Sequence, residues 1–517
     1  MKNRIMILGA LMVALGVASC HEDSDVVLNY GVNDAVAFDE AYKSYAGKFK
    51  VFWKSMNTTY SLWDYEKERG LDWDEYYNEM LPKFEALDKQ DSVSDKELEM
   101  LMREMAAPLH DGHMTIEFQN HKTGKFVRVS PNAIRNEQRP DYEHSKTFVP
   151  DLTAYEKNQE LLEWYETDTK IESQFKYMTM TEGIGYQWAL AKHDELIKKE
   201  NPTERDASML SGLKEFIKEM RKLVEAEKFG TDALKNFNEL VTKYSYLEIP
   251  FLEPISDAFE DNGINVKYGL FKDNIAYFYL SDFALGPYLN NASFNKIFSD
   301  SKHTTEVARM VREVYYSWFE AIQQLHKAKQ LKGVIIDLRS NRGGFTADSY
   351  YVLGSLAPKG GLQYGYSRYK RGPGRFDYSP FMPITAMTME DDHEVIDDVP
   401  VTILINCWSV SMSEITSLSS KRMSNARLIG CRSWGGLCGL TDPSDFSTNY
   451  TGYIGEEEKT PVFVYLPVVG VFDMNKKMLD GYGVEPDIEV DFDKDEYKNT
   501  GYDTQLNRAL QYIRTGN

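Results

Sequence analysis

Residues 400–420 read PVTILINCWSVSMSEITSLSS, and this stretch decides the fold. Behind Pro400, the residues Val401, Ile403 and Ile405 alternate with Leu404 between them, the pattern of a buried strand. Asn406 to Ser409 turn the chain, and the segment EITSLSSKRM beyond Ser411, Met412 and Ser413 is predicted as a helix. A serine between a strand end and a helix start sits among unpaired backbone amides at the positive end of the helix dipole. Both favour a developing oxyanion, which acyl transfer requires. Ser411 and Ser413 occupy that place, and either would also serve as an ordinary helix cap.

Upstream, Asn274–Leu280 reads as a strand, and residues 304–328 as a long amphipathic helix with Val311, Tyr315, Trp318 and Ile322 on its apolar stripe. Gly333–Leu338 is a second buried strand, Arg339–Gly344 a polar, glycine-rich turn, and Thr346–Leu356 a helix. This order implies a crossover α/β layer. The paired Gly343 and Gly344 allow a backbone amide to approach a ligand closely. No Lys-Ser/Thr follows them and no dinucleotide fingerprint is present, so the turn suits a peptide carbonyl or oxyanion better than a phosphate. Asp337 and Arg339 read as an internal salt bridge that holds the turn.

Residues 357–398 form a turn-rich excursion before the sheet resumes. Downstream, Val462–Val471 is strand-like, Asp480–Asp487 is a turn, and Asp503–Ile513 a closing helix. Toward the N-terminus, residues 36–106 carry aromatic residues mostly at helical spacing, including Phe38, Tyr42, Tyr45, Phe49 and Phe52, until Pro108 ends the run. The turn Asp111-Gly112 then leads into a short strand, Thr115–Phe118. His113 projects from this turn, with His110 as a rival, and either a structural or a functional role fits it. From Phe148 to about Leu247 the pattern is helical and highly charged, and 250–261 reads as a boundary.

The chain has 517 residues, 42% hydrophobic and 27% charged, an ordinary globular composition. A net charge of −21 argues against a nucleic-acid partner. The nine histidines are scattered, there is no HExxH, and the cysteines lack zinc spacing, so no metal or other cofactor is expected. Lys2 and Arg4, an apolar run from Ile5 to Val17, and Ala18-Ser19-Cys20 form a secretory signal too short to span a bilayer. The residues around Cys20 resemble a bacterial lipoprotein cleavage site, which makes Cys20 the lipidated first residue of the mature chain. The acidic leader Glu22, Asp23, Asp25 resembles a surface-export tag of some Gram-negative lipoproteins. Cys431 and Cys438 flank one loop and are candidates for a disulfide, while Cys407 reads as a buried apolar residue.

Five runs occur in order: GVIIDLRSNRGG, VPVTILINCWSVSMSEI, ARLIGCRSWGG, GYGVEPDIEV and DTQLNRALQYI. Together with LHDGHMTI upstream they resemble the C-terminal-processing (tail-specific) serine peptidase family. The resemblance implies a crotonase-like α/β peptidase core with Ser411 as nucleophile and with Met412 and one of Gly343 or Gly344 as oxyanion-hole amides. It also implies five segments: a signal at 1–19, a tether at 20–35, a helical N-terminal domain at 36–120, a helical insertion at 121–260 and the peptidase core at 261–517. The processing peptidases take their base from a lysine in G-x-x-T-x-G-K, but Gly436 stands at that position here. The tricorn-like branch uses an upstream histidine oriented by a downstream carboxylate, positions that match His113 and Asp480. The peptide-binding PDZ module of many relatives has no counterpart in the sequence.

The resemblance thus implies a membrane-anchored serine endopeptidase acting on peptides or unfolded proteins through Ser411, His113 and Asp480, in the cell envelope and most simply at the outer membrane. The alternative is a catalytically inactive relative that binds peptides or an apolar ligand, which the missing lysine permits.

Overall fold

A computed structural model describes residues 38–167, 186, 188–199, 201–225, 231–249, 264–289, 302–386, 394–440 and 452–516. The signal segment, Cys20 and the tether lie outside the described residues. The chain forms two compact, discontinuous units. The first comprises residues 1–139, 365–384 and 435–483, and the second residues 140–364, 385–434 and 484–517. This differs from the contiguous division expected above: two stretches of the expected core, 365–384 and 435–483, belong with the N-terminal region. Strand pairing is the reason. Val462–Tyr465 lies antiparallel to Thr115–Gln119, so the later segment completes a sheet begun more than 300 residues earlier.

In the second unit, seven strands form one sheet in chain order: Leu161–Glu166, Val266–Phe271, Ile275–Leu280, Gly333–Asp337, Val401–Ile405, Ala426–Gly430 and Ile488–Glu489. The first two junctions are antiparallel and the remaining four parallel. Ile275–Leu280, Gly333–Asp337 and Val401–Ile405 are buried at every residue, as expected of central strands covered on both faces. The crossover helix Lys302–Lys327 buries Val311, Tyr315, Trp318 and Ile322. The closing helix Thr504–Thr515 packs Leu506, Leu510 and Ile513 against Ile335 and Leu404. The α/β class expected from residues 400–420 is what the structure shows.

The expected run of helix from Phe148 to Leu247 is interrupted by Leu161–Glu166, an edge strand whose pattern is set by its pairing with Val266–Phe271. The helices Glu204–Glu225 and Thr231–Lys243 share a separate apolar core that includes Leu213, Phe216, Met220 and Phe237. The predicted helix Thr346–Leu356 is a 3-10 turn, Thr346–Asp348, followed by a helix that ends at Leu353.

The first unit begins with the helices Tyr45–Thr59, Trp63–Glu68, Trp73–Asp88 and Asp95–Ala106. Ser44, Asp72 and Ser94 cap three of them, the last through a capping box with Glu97. The aromatic stripe is core: Phe49 stacks on Phe84 with ring centroids 4.9 Å apart, although Tyr42 is 48% exposed. A four-stranded antiparallel sheet runs Tyr453–Ile454, Val462–Tyr465, Thr115–Gln119, Phe126–Val129. Val469–Phe472 belongs to a separate three-stranded sheet with Leu362–Tyr369 and Met382–Ala386. The strand expected over Val462–Val471 is therefore split, and Pro467, which has no N–H to donate, lies in the gap. The excursion 357–398 contributes two of these strands. Among the described residues no helix is long and apolar enough to cross a membrane.

Candidate active site

Ser411 follows the strand Val401–Ile405 and is the N-cap of the helix Met412–Ser420. Its backbone is what sets it apart. The caps Ser44, Asp72, Ser94, Asp493 and Asp503 all have extended backbones with φ between −145° and −73°. Ser411 has φ 56° and ψ −113°. A cap needs no such conformation, and a non-glycine residue held there costs about 1–3 kcal/mol. The surroundings hold it in place. Its amide donates to Glu414 Oε2 (3.1 Å), and its carbonyl accepts from the Glu414 and Ile415 amides (2.9 Å each). Glu414 is buried and also accepts the Ser433 hydroxyl (2.5 Å). Ser413, the other candidate, is buried, and its hydroxyl donates to Asn341 (2.7 Å to Oδ1), which leaves Ser411 as the nucleophile candidate.

The glycine-rich turn lies against this serine. A Cβ built on Gly343 (φ 94°) would stand 2.5 Å from Ser411 Cβ and 2.9 Å from the Met412 nitrogen. A Cβ on Gly344 (φ 137°) would stand 2.2 Å from the Phe283 carbonyl oxygen. Only glycine fits either place. Gly343 O accepts from the Phe283 amide (2.7 Å), and Phe283 O accepts from the Phe345 amide (2.8 Å). The Gly343 amide is already occupied, because it donates to Asn341 Oδ1 (2.8 Å). Among the described residues no acceptor faces the amides of Met412 or Gly344. Of the two glycines offered by the sequence, Gly344 therefore carries the open amide, and Gly343 supplies the close approach.

Asn341 is the residue the sequence reading missed. It is fully buried and joins three elements. Its Nδ2 donates to Leu280 O (2.8 Å), its Oδ1 accepts from Gly343 and Ser413, and its carbonyl accepts the Val410 amide (2.9 Å). Asn406 repeats the device, with Oδ1 accepting from the amides of Ser340 (2.9 Å) and Trp408 (3.0 Å). A buried asparagine between two polar turns was the available signal. Arg339 and Asp337 are the expected internal pair: both are buried, Nε to Oδ1 is 2.9 Å and Nη2 to Oδ2 is 2.5 Å, with Asp503 (2.6 Å) and Tyr277 completing the cluster.

His113 and Asp480 belong to the first unit. Asp111 Oδ1 accepts the amides of His113 (2.9 Å) and Met114 (2.8 Å), forming the turn predicted at Asp111-Gly112. Gly112 is needed because a Cβ there would stand 1.8 Å from the Gly435 carbonyl oxygen. The imidazole is half-buried, and its Nδ1 is buried with no hydrogen-bond partner among the described residues. Burial lowers its pKa to about 4, so the ring is neutral at physiological pH.

Asp480 does not orient that ring as expected. Its Oδ1 accepts the Gly112 amide (2.8 Å) and its Oδ2 the Cys438 amide (3.0 Å), so it pins the turn rather than the imidazole. His110, by contrast, has a carboxylate on its ring: Nδ1 lies 2.8 Å from the buried Glu66 Oε2. Cys431 and Cys438 are both free and buried, which overturns the disulfide considered above. Cys438 is engaged with Asp480 through its amide, and Cys431 Sγ accepts from Gln505 Nε2 (3.5 Å). Among the described residues no group of three or more potential ligands is arranged to hold a metal ion.

Residues 275–490 match the model of peptidase family S41. The chain is 30% identical over 205 residues to a putative tricorn-like protease C-terminal subunit of Sulfurisphaera tokodaii, covering 39% of this chain and 20% of that protein. It is 28% identical over 189 residues to a carboxy-terminal-processing protease of Bartonella bacilliformis, covering 36% and 37%. The chain thus spans about a fifth of the first relative and little more than a third of the second. Among solved structures, a putative peptidase from Parabacteroides merdae is similar with a TM-score of 0.49 and 16% identity, over 91% of this chain and 96% of that one.

Proposed function

We propose that this chain is a serine peptidase of family S41, whose model residues 275–490 match, with Ser411 as nucleophile. The carrying observation is the left-handed backbone at Ser411, with the open amides of Met412 and Gly344 beside it. In this reading the Ser411 hydroxyl adds to a peptide carbonyl, and the oxyanion is stabilised by those two amides. The role of base falls to His113, which is neutral and so able to accept the hydroxyl proton. It returns that proton to the leaving amine, and water then releases the acyl group from Ser411. Removing one oxyanion donor in such a site typically costs about 10²–10³ in rate. The substrates are peptides or unfolded proteins. The three-part leader ending at Cys20 supports an exported lipoprotein anchored in the cell envelope.

The test is Ser411→Ala in the full chain. The expected result is loss of cleavage of an unfolded casein-type substrate with Tm unchanged, and loss of labelling by a serine-reactive phosphonate. Cleavage at the parent rate by this variant would reject the nucleophile. A second reading, an inactive binder, is supported by Gly436, which stands where the resemblance sets the family lysine, and by His113 Nδ1, which has no hydrogen-bond partner among the described residues. That reading predicts no phosphonate labelling of the parent and retention of an apolar ligand.

A further inference from the structure

The turn that carries His113 is gripped by two buried carboxyl groups whose hydrogen bonds are not equivalent. Asp480 uses both oxygens as acceptors, for the amides of Gly112 and Cys438. Asp111 uses only Oδ1, shared between the amides of His113 and Met114, and its Oδ2 is buried without a partner among the described residues. Both side chains are wholly buried. Two adjacent carboxylates are not stable together in a low-dielectric site, so one holds a proton. An oxygen that accepts an N–H at hydrogen-bond distance is a poor place for it, and only Asp111 Oδ2 accepts nothing.

We propose that Asp111 and Asp480 form a carboxylic acid–carboxylate pair at neutral pH, with the proton on Asp111 Oδ2, and that this pair is the positioning device for the His113 turn. The charged and titratable neighbours are Glu66, His110, Arg135, Tyr60, Tyr65 and Cys438. Glu66 adds negative charge, which strengthens the case for a neutral Asp111. The directions agree: burial and then the Asp480 charge push Asp111 well above the usual carboxylate range, and burial raises Asp480 to about 6. Only the functional weight of the pair rests on reading His113 as the base; its protonation state does not.

The sign follows from linkage. A carboxyl whose folded pKa is raised contributes stability that is present below its unfolded value and lost as pH rises through the folded one. His113, depressed to about 4, runs the other way, but only below about pH 6.5. The range from about pH 6.5 to 9 therefore reports on Asp111.

The experiment measures Tm across that range in full-length Ser411→Ala protein, so that no turnover is needed and failure of the peptidase reading stays separate. Asp111→Asn keeps the acceptor and supplies a neutral group at Oδ2. It is expected to hold Tm within about 2 °C of the parent near pH 7 and to gain on it steadily as pH rises. Asp111→Ala and Asp480→Asn are each expected to lose about 5 °C or more, since amides lose their acceptors. The proposal is overturned if Asp111→Asn falls as far as Asp111→Ala at every pH, if Asp480→Asn is the tolerated change, or if the gap between Asp111→Asn and parent does not vary with pH.

Discussion

Around Ser411 the chain is held mainly by neutral groups. Asn341, Asn406, Ser409 and Ser413 tie the two turns together, and the carboxylates of Glu414, Asp141 and Asp337 accept the amides of Ser411, Cys407 and Arg339 at their margins. The Asp111–His113 turn hangs instead on acids, with Asp111 and Asp480 on its amides and Glu66 on His110. The first arrangement stores backbone strain and offsets it mainly with hydrogen bonds between neutral groups. The second stores electrostatic strain, which depends on pH. A nucleophile must present one fixed geometry to the carbonyl, whereas a base must have its proton affinity set. Under the proposed reading, the two turns solve these two problems with different chemistry.

The largest effect that would break this comparison is at Gly343. The alanine methyl would stand 2.5 Å from Ser411 Cβ at a φ of 94°, so either the serine or the glycine turn must shift. Gly343→Ala is expected to lower kcat/KM by at least about 10²–10³, the scale of an oxyanion donor. Gly124 is the control: its φ is 78°, but nothing lies within 4 Å of the built Cβ. Gly124→Ala carries only the backbone penalty, about 1 kcal/mol, measured by urea unfolding, with kcat/KM unchanged. Equal losses of activity in the two variants would show that left-handed backbone alone, not the approach to Ser411, sets the requirement.

Next in size is Asn341→Ala. It leaves the Gly343 amide and the Leu280 carbonyl without their partner and removes the Oδ1 acceptor of the Ser413 hydroxyl, all in buried surroundings. A loss of about 2–4 kcal/mol is expected in urea unfolding, with a slope against pH parallel to that of the parent. A changed slope would mean that the serine turn, too, is held by titrating groups.

The sequence showed some of this and hid the rest, for physical reasons. The strand–turn–helix at 400–420 was legible because its cues are local: alternating apolar residues, then a serine ahead of a helix-forming run. The glycine pair was legible because few uses exist for adjacent glycines after a buried strand. Which of the two offers its amide was not, since that depends on Asn341, one more polar residue in a polar turn. Leu161–Glu166 was misread because its strand character comes from a partner about a hundred residues away. The move of residues 435–483 out of the expected core has the same cause, pairing at long range. Asp480 was expected to orient the His113 ring, but its oxygens accept backbone amides, and amides leave no mark in sequence.

The smallest effect concerns His113 itself and tests whether the acid-held turn keeps its ring buried. An exposed imidazole titrates near about 6.5, but burial without a partner for Nδ1 brings this ring to about 4. The Cε1 proton resonance of His113, followed by NMR in Ser411→Ala protein, should have its midpoint near 4. Stability follows the sign of that depression: the contribution of His113 is complete above its unfolded value and is lost as pH falls through the folded one. His113→Gln should therefore lose less stability than the parent between pH 6.5 and 4. A midpoint near 6.5 would mean a solvated ring or one that has acquired a carboxylate. The acid-held turn would then no longer account for a ring of depressed proton affinity, while the geometry at Ser411 would stand.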